Sequence, residues 1–111
     1  VNRAVHAASE AFESWSQTTA QQRADYLNAM AAELESRQED ISKLEVLDNG
    51  KPYKEAAMDI ADVIACFRYY ANQILLFEKE KQNQTIEIEG QNSVACYVRY
   101  EPVGVAGKIT I

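Results

Sequence analysis

The chain reads as α/β, and three features of its 111 residues predict this. Apolar residues recur every three or four positions from the start to about Lys81, the period of an amphipathic helix. Beyond Lys81 the period drops to two, the mark of a half-buried strand. The closing "EPVGVAGKITI" is a turn followed by a small-residue apolar run, expected to form a third strand close against neighbouring backbone.

Four helices account for the first part. Val1, Val5, Ala8, Phe12 and Trp15 make the first stripe. No capping residue precedes it, so the helix is expected to continue from chain that comes before Val1. In "TTAQQRADYLNAMAAELESR", Thr18 or Thr19 is a candidate cap. Gln22, three residues after Thr19, completes a capping box. Ala24, Leu27, Met30, Ala31 and Leu34 form the expected buried face. "QEDISKLEVLDNG" is a shorter helix with Ile41, Leu44 and Leu47 inward and Gly50 as its left-handed stop. Pro52 opens the longest helix, where its missing N–H costs little. That helix presents Ile60, Val63, Ile64, Phe67, Tyr70, Ala71, Ile74 and Leu75 on one wide face.

Two alternating stretches follow. Ile86 and Ile88 alternate with Glu87 and Glu89. Val94, Cys96 and Val98 alternate with Ala95, Tyr97 and Arg99. Gly90-Gln91-Asn92 between them reads as the turn of a β-hairpin. A lone hairpin is marginal in water, so the architecture reads as a piece of a larger α/β chain.

Composition excludes several classes. A net charge of −6 argues against a surface for nucleic-acid phosphates. Lys79 and Lys81 each sit beside a Glu and read as a solvated face. No stretch approaches the ~20 apolar residues that cross a bilayer, and no signal segment opens the chain. Cys66 and Cys96 have no metal-type spacing and suit a reducing compartment, which points to the cytoplasm. Whether the two thiols pair is left open by the sequence. Packing is the default role for both, and His6 reads as a solvated helix residue.

"GVAGKIT" is not a phosphate loop: Pro102 stands where the first glycine belongs, and Ile109 follows Lys108. "LDNGKP" carries more order than a helix stop needs. Asp59 lies near the start of the long helix, where it either complements the helix dipole or ligates a cation.

"AFESW", "QQRADYLNAMAAELESRQEDISKLEVLDNGKPYKEA", "DIADVIACFRYYA" and "YVRYEPVGVAGKIT", in that order and spacing, resemble the aldehyde dehydrogenase superfamily along essentially the whole chain. The stretch between Ala71 and Glu101 has the length of the betaine-aldehyde and aminoaldehyde branch. Tyr100 stands where the family often has a basic residue, and Ile111 where it usually has Pro. Arg68 and Asn72 lie near positions that are acidic in plant members of the branch.

The resemblance implies the N-terminal portion of an aldehyde-dehydrogenase-like fold. Residues 1–83 would be the helical part of the NAD-binding domain. Residues 84–100 would be an oligomerisation hairpin, serving a homo-dimer or homo-tetramer. Residues 101–111 would return as the first strand of a Rossmann-like cofactor domain. Ile109 and Thr110 would border an NAD or NADP cofactor, and Asp59 would help to hold a monovalent cation, K or Na. The parent would oxidise a small-molecule aldehyde to its acid through a cysteine thiolate, hydride transfer to the nicotinamide, and hydrolysis assisted by a glutamate. In the family those catalytic groups, with an oxyanion-binding Asn, lie beyond this stretch, so the segment alone is expected to be inactive. The alternative is a non-catalytic helical and hairpin module that binds another protein.

Overall fold

In the computed structural model, four helices precede a two-stranded ladder: α1 Asn2–Trp15, α2 Ala20–Ser36, α3 Gln38–Asn49, α4 Tyr53–Lys81, β1 Gln84–Ile86 and β2 Cys96–Val98. The structure describes residues 1–81, 84–86 and 96–109. The chain divides into two units, one of Ala20–Glu78 and one joining Val1–Thr19 to Lys79–Ile111.

In the helical unit, α2 and α3 are separated by one residue. Arg37 leaves helical geometry at φ −113° and ψ 12°. Its N–H is shared between the carbonyls of Glu33 at 3.2 Å and Leu34 at 3.3 Å, closing α2. Its own carbonyl accepts the Ile41 N–H at 3.0 Å, opening α3. Gly50 then ends α3 in the left-handed region at φ +76°, its N–H reaching Val46 O, as the glycine predicts. The Pro52 carbonyl accepts from Glu55 and Ala56, so proline stands just ahead of α4 and withholds no needed donor.

The core of this unit is small. Ala31, Ile60 and Ile64 form the buried cluster, with Leu34, Ile41 and Phe67 packed against it. The other buried apolar residues are the alanines 20, 24, 56 and 71. Small side chains on facing stripes let helix axes approach closely.

Several residues expected inside are outside. Met30 is exposed on α2, Leu44 and Leu47 on α3, and Val63 and Tyr70 on α4. On α3 Ser42 is fully buried, and Gln38, Ile41, Glu45 and Val46 are half-buried. The Ser42 hydroxyl donates to Gln38 O at 2.7 Å, so its burial strands no polar group. Periodicity marked the apolar stripe correctly as a pattern. At the start of α3, the Gln38 amide Nε2 also donates across to Ala57 O at 3.1 Å.

In the other unit, α1 buries no residue; Phe12 is half-buried while Val1, Val5 and Trp15 are exposed. β1 and β2 pair antiparallel, with Gln84 opposite Val98, Thr85 opposite Tyr97 and Ile86 opposite Cys96. Cys96 and Val98 are half-buried and Tyr97 is exposed, the alternation a period of two requires. The expected turn at Gly90-Gln91-Asn92 lies outside the described residues. The described part of the expected third strand, residues 99–109, carries no regular structure. Gly104 stands at φ +106°, a left-handed conformation that breaks an extended pleat. Among the described residues no helix is long and apolar enough to cross a membrane.

Candidate functional site

A polar constellation joining two helices lies at the corner between α3 and α4, built by "LDNGKP". Asn49, Gly50 and Pro52 each have a local reason. The Asn49 side-chain oxygen accepts the Lys51 N–H at 3.0 Å, an Asx turn that closes the loop on itself. Gly50 supplies the positive φ within that turn. Pro52 holds the backbone ahead of α4. The Lys51 side chain therefore departs from a fixed base.

Its ammonium meets two carboxylates from different helices. Nζ lies 2.6 Å from Glu45 Oε1 on α3 and 2.5 Å from Asp59 Oδ2 on α4. Lys51 and Glu45 side chains are each 26% exposed, against 50% for Asp59. Hydrogen bonding to Asp59, then to Glu45, raises the Lys51 pKa above its ordinary value. By contrast, His6 pairs with Glu10 at 3.3 Å on an open helix face, as a solvated histidine does.

A second feature is an open groove of about 440 Å³ along α4. Ala61 and Ala65 leave the space, and Arg68 and Glu35 border it. The Arg68 guanidinium forks onto the Glu35 carboxylate, with Nη2–Oε2 at 2.6 Å and Nη1–Oε1 at 3.4 Å. Both side chains are half-exposed, so this pair contributes little to stability.

Of the expected site residues, Asp59 lies in the helical unit and Ile109 in the other. Asp59 belongs to the corner and is already engaged by an ammonium. No group of three His, Cys, Asp or Glu side chains that could hold a metal occurs among the described residues. Ile109 is 94% exposed in the irregular segment, and Thr110 lies outside the described residues. Cys66 is exposed, Cys96 is half-buried, and both are free thiols. Lys51 is the residue that reading the sequence missed. It lies six residues after Glu45 and eight before Asp59, in the loop between their helices, where helical spacing does not relate it to either. The only available signal was a lysine placed directly after a glycine stop, with acids on both flanking helices.

The model described as "Aldehyde dehydrogenase family" matches residues 1–110. The chain belongs to the aldehyde dehydrogenase family. Its relatives include aminoaldehyde dehydrogenase 2 of Solanum lycopersicum, 43% identical over 99% of this chain and 22% of that enzyme. Betaine aldehyde dehydrogenase 1 of Oryza sativa subsp. japonica is 42% identical over 99% of this chain and 22% of its own length. The chloroplastic betaine aldehyde dehydrogenase of Beta vulgaris is 41% identical over 86% of this chain and 19% of its own length. Among solved structures, a betaine aldehyde dehydrogenase of Staphylococcus aureus in complex with NAD+ superposes with a TM-score of 0.69 at 33% identity. That match covers 79% of this chain and 18% of the Staphylococcus chain. The chain thus spans about a fifth of the length of the aldehyde dehydrogenases it matches.

Proposed function

We propose that the chain is the N-terminal scaffold of an NAD(P)-dependent aldehyde dehydrogenase that oxidises betaine aldehyde or an aminoaldehyde to its carboxylic acid. The observation that carries this is the family match along residues 1–110, joined to relatives of the betaine-aldehyde and aminoaldehyde type at 41–43% identity. The NAD+ bound in the Staphylococcus enzyme supports an NAD-type cofactor for the parent.

Within that reading, residues 1–83 are the helical part of the cofactor domain, 84–100 an arm and 101–111 a return segment. The return segment borders the nicotinamide through the backbone of Ile109 and Thr110. The arm serves a homo-dimer or homo-tetramer, because its ladder has two strands and therefore two edges, the kind of surface that another strand extends. The setting is cytoplasmic, on the two free thiols. A monovalent cation, K+ or Na+, is the second reading of Asp59; it requires Lys51 to withdraw from that carboxylate.

The chemistry belongs to a longer polypeptide, since no described residue pairs a nucleophile with a base. The test compares the 111 residues alone with the same chain extended by about four-fifths of a family member's length. The extended protein should reduce NAD+ when given betaine aldehyde or an aminoaldehyde, and the 111 residues should not. NADH production by the short chain would overturn the reading. Binding of a foreign protein by the short chain, with an inactive extended form, would favour the non-catalytic module.

A further inference from the structure

We propose that Lys51 is an electrostatic pin: its one ammonium fastens the end of α3 to the first turns of α4, with Glu45 and Asp59 as its two anchors. This goes beyond the enzyme reading and stands without it, because it uses only the α3–α4 corner.

Three observations converge. First, the two carboxylates come from different helices and share one cation at 2.6 and 2.5 Å. A pair within one helix, such as Lys43 with Glu39, ties nothing to anything else. Second, the backbone under Lys51 is held by the Asn49 oxygen and by Gly50 at φ +76°. A side chain that starts from a fixed base loses less freedom on reaching its partners. Third, the corner lies at the edge of the core. Leu44, Leu47 and Met58 are 66%, 82% and 65% exposed, while Ala56 and Ile60 are buried and Val46 is half-buried. The ion pairs extend from that edge towards solvent, with Asp59 half-exposed.

The arrangement holds two negative charges against one positive. Removing the ammonium leaves two carboxylates facing each other, a repulsive pair. A sign reversal follows. Asp59→Asn weakens the corner when Lys51 is present, because it removes an anchor. In a Lys51→Met chain the same Asp59→Asn change strengthens the corner, because it removes a repulsion. An aspartate that merely complemented the α4 dipole would act in the same direction in both backgrounds.

The experiment uses the 111-residue chain and two readouts. The first is acylation of lysine amines at mildly alkaline pH, followed by mass spectrometry of Lys51 against the exposed Lys54. Lys51 should react at least about tenfold more slowly, since one unit of pKa is a factor of ten in free amine. Asp59→Asn and Glu45→Gln should each speed Lys51 and leave Lys54 unchanged. The second is the melting midpoint of the helical signal for wild type, Lys51→Met, Asp59→Asn and the double variant. The double variant should melt above Lys51→Met. Equal reactivity of Lys51 and Lys54 overturns the pin, and so does an Asp59→Asn effect of the same sign in both backgrounds. Both readouts are repeated in potassium chloride and in choline chloride at equal ionic strength. The pin predicts no difference; potassium-specific acceleration at Lys51 overturns it in favour of a cation on Asp59.

Discussion

At Gly50 the backbone adopts φ +76°, and nothing lies within 4 Å of where a Cβ would sit. The cost of a side chain there is therefore conformational alone. Gly50→Ala is expected to lose about 1 kcal/mol, and Gly50→Asn less, because asparagine enters the left-handed region more readily. Urea midpoints measure both, and a much larger loss would mean a contact that the open space does not provide. One residue on, the sign of the Lys51 shift sets a pH window. Folding raises its pKa above the unfolded value of 10.5. Its contribution is therefore complete below about pH 10.5 and fades as the pH climbs through the folded value. Wild type minus Lys51→Met should be constant from neutral pH to about 10 and shrink in stronger alkali. A difference that already fades near neutrality would contradict the pairing with Asp59 and Glu45.

Among the elements, α4 matters most, because it carries both large buried side chains, Ile60 and Ile64. At 5% exposed, Ile64 is the more enclosed of the two. Ile64→Ala should cost about 2–4 kcal/mol through lost burial and the space left behind, visible as a lower melting midpoint. A cost below about 1 kcal/mol would show that the cluster with Ala31 closes over the gap. The helices themselves were legible in the sequence, down to the stop at Gly50 and the proline ahead of α4. Local geometry decides such boundaries, and local geometry is written in neighbouring residues. The inward face of α3 was not legible. Ile41, Leu44 and Leu47 share a stripe, yet only Ile41 packs on the core, beside a buried Ser42. The tail shows the same limit. Its apolar residues suggested a strand, but a strand needs a ladder partner, and Gly104 turns the chain out of the extended region.

For the molecule as a whole, exposed apolar area outweighs the core. Leu47, Val103 and Ile109 are 82%, 96% and 94% exposed, while the buried set is mostly alanine. The chain should bind the dye ANS. Leu44→Lys with Leu47→Lys should reduce that binding and shift stability by no more than about 0.5 kcal/mol per site. A loss of several kcal/mol from that pair would mean that α3 buries the face which here looks outward. The catalytic reading was legible only as a resemblance. Nothing in the described residues assembles a nucleophile and a base, and the family assignment rests on matched sequence along the chain rather than on a site.

Taken alone, the sequence determined four helices, the stop at Gly50, the change of period after Lys81 and membership of the aldehyde dehydrogenase family. Those properties depend on residues a few positions apart, or on order along the chain. Tertiary structure alone decided that alanines and two isoleucines make the core, that Leu44 and Leu47 stay outside, and that Lys51 reaches both Glu45 and Asp59. Burial and ion pairing depend on what lies across space from a side chain. A helical period reveals that a face exists; only the packed fold reveals what, if anything, meets it.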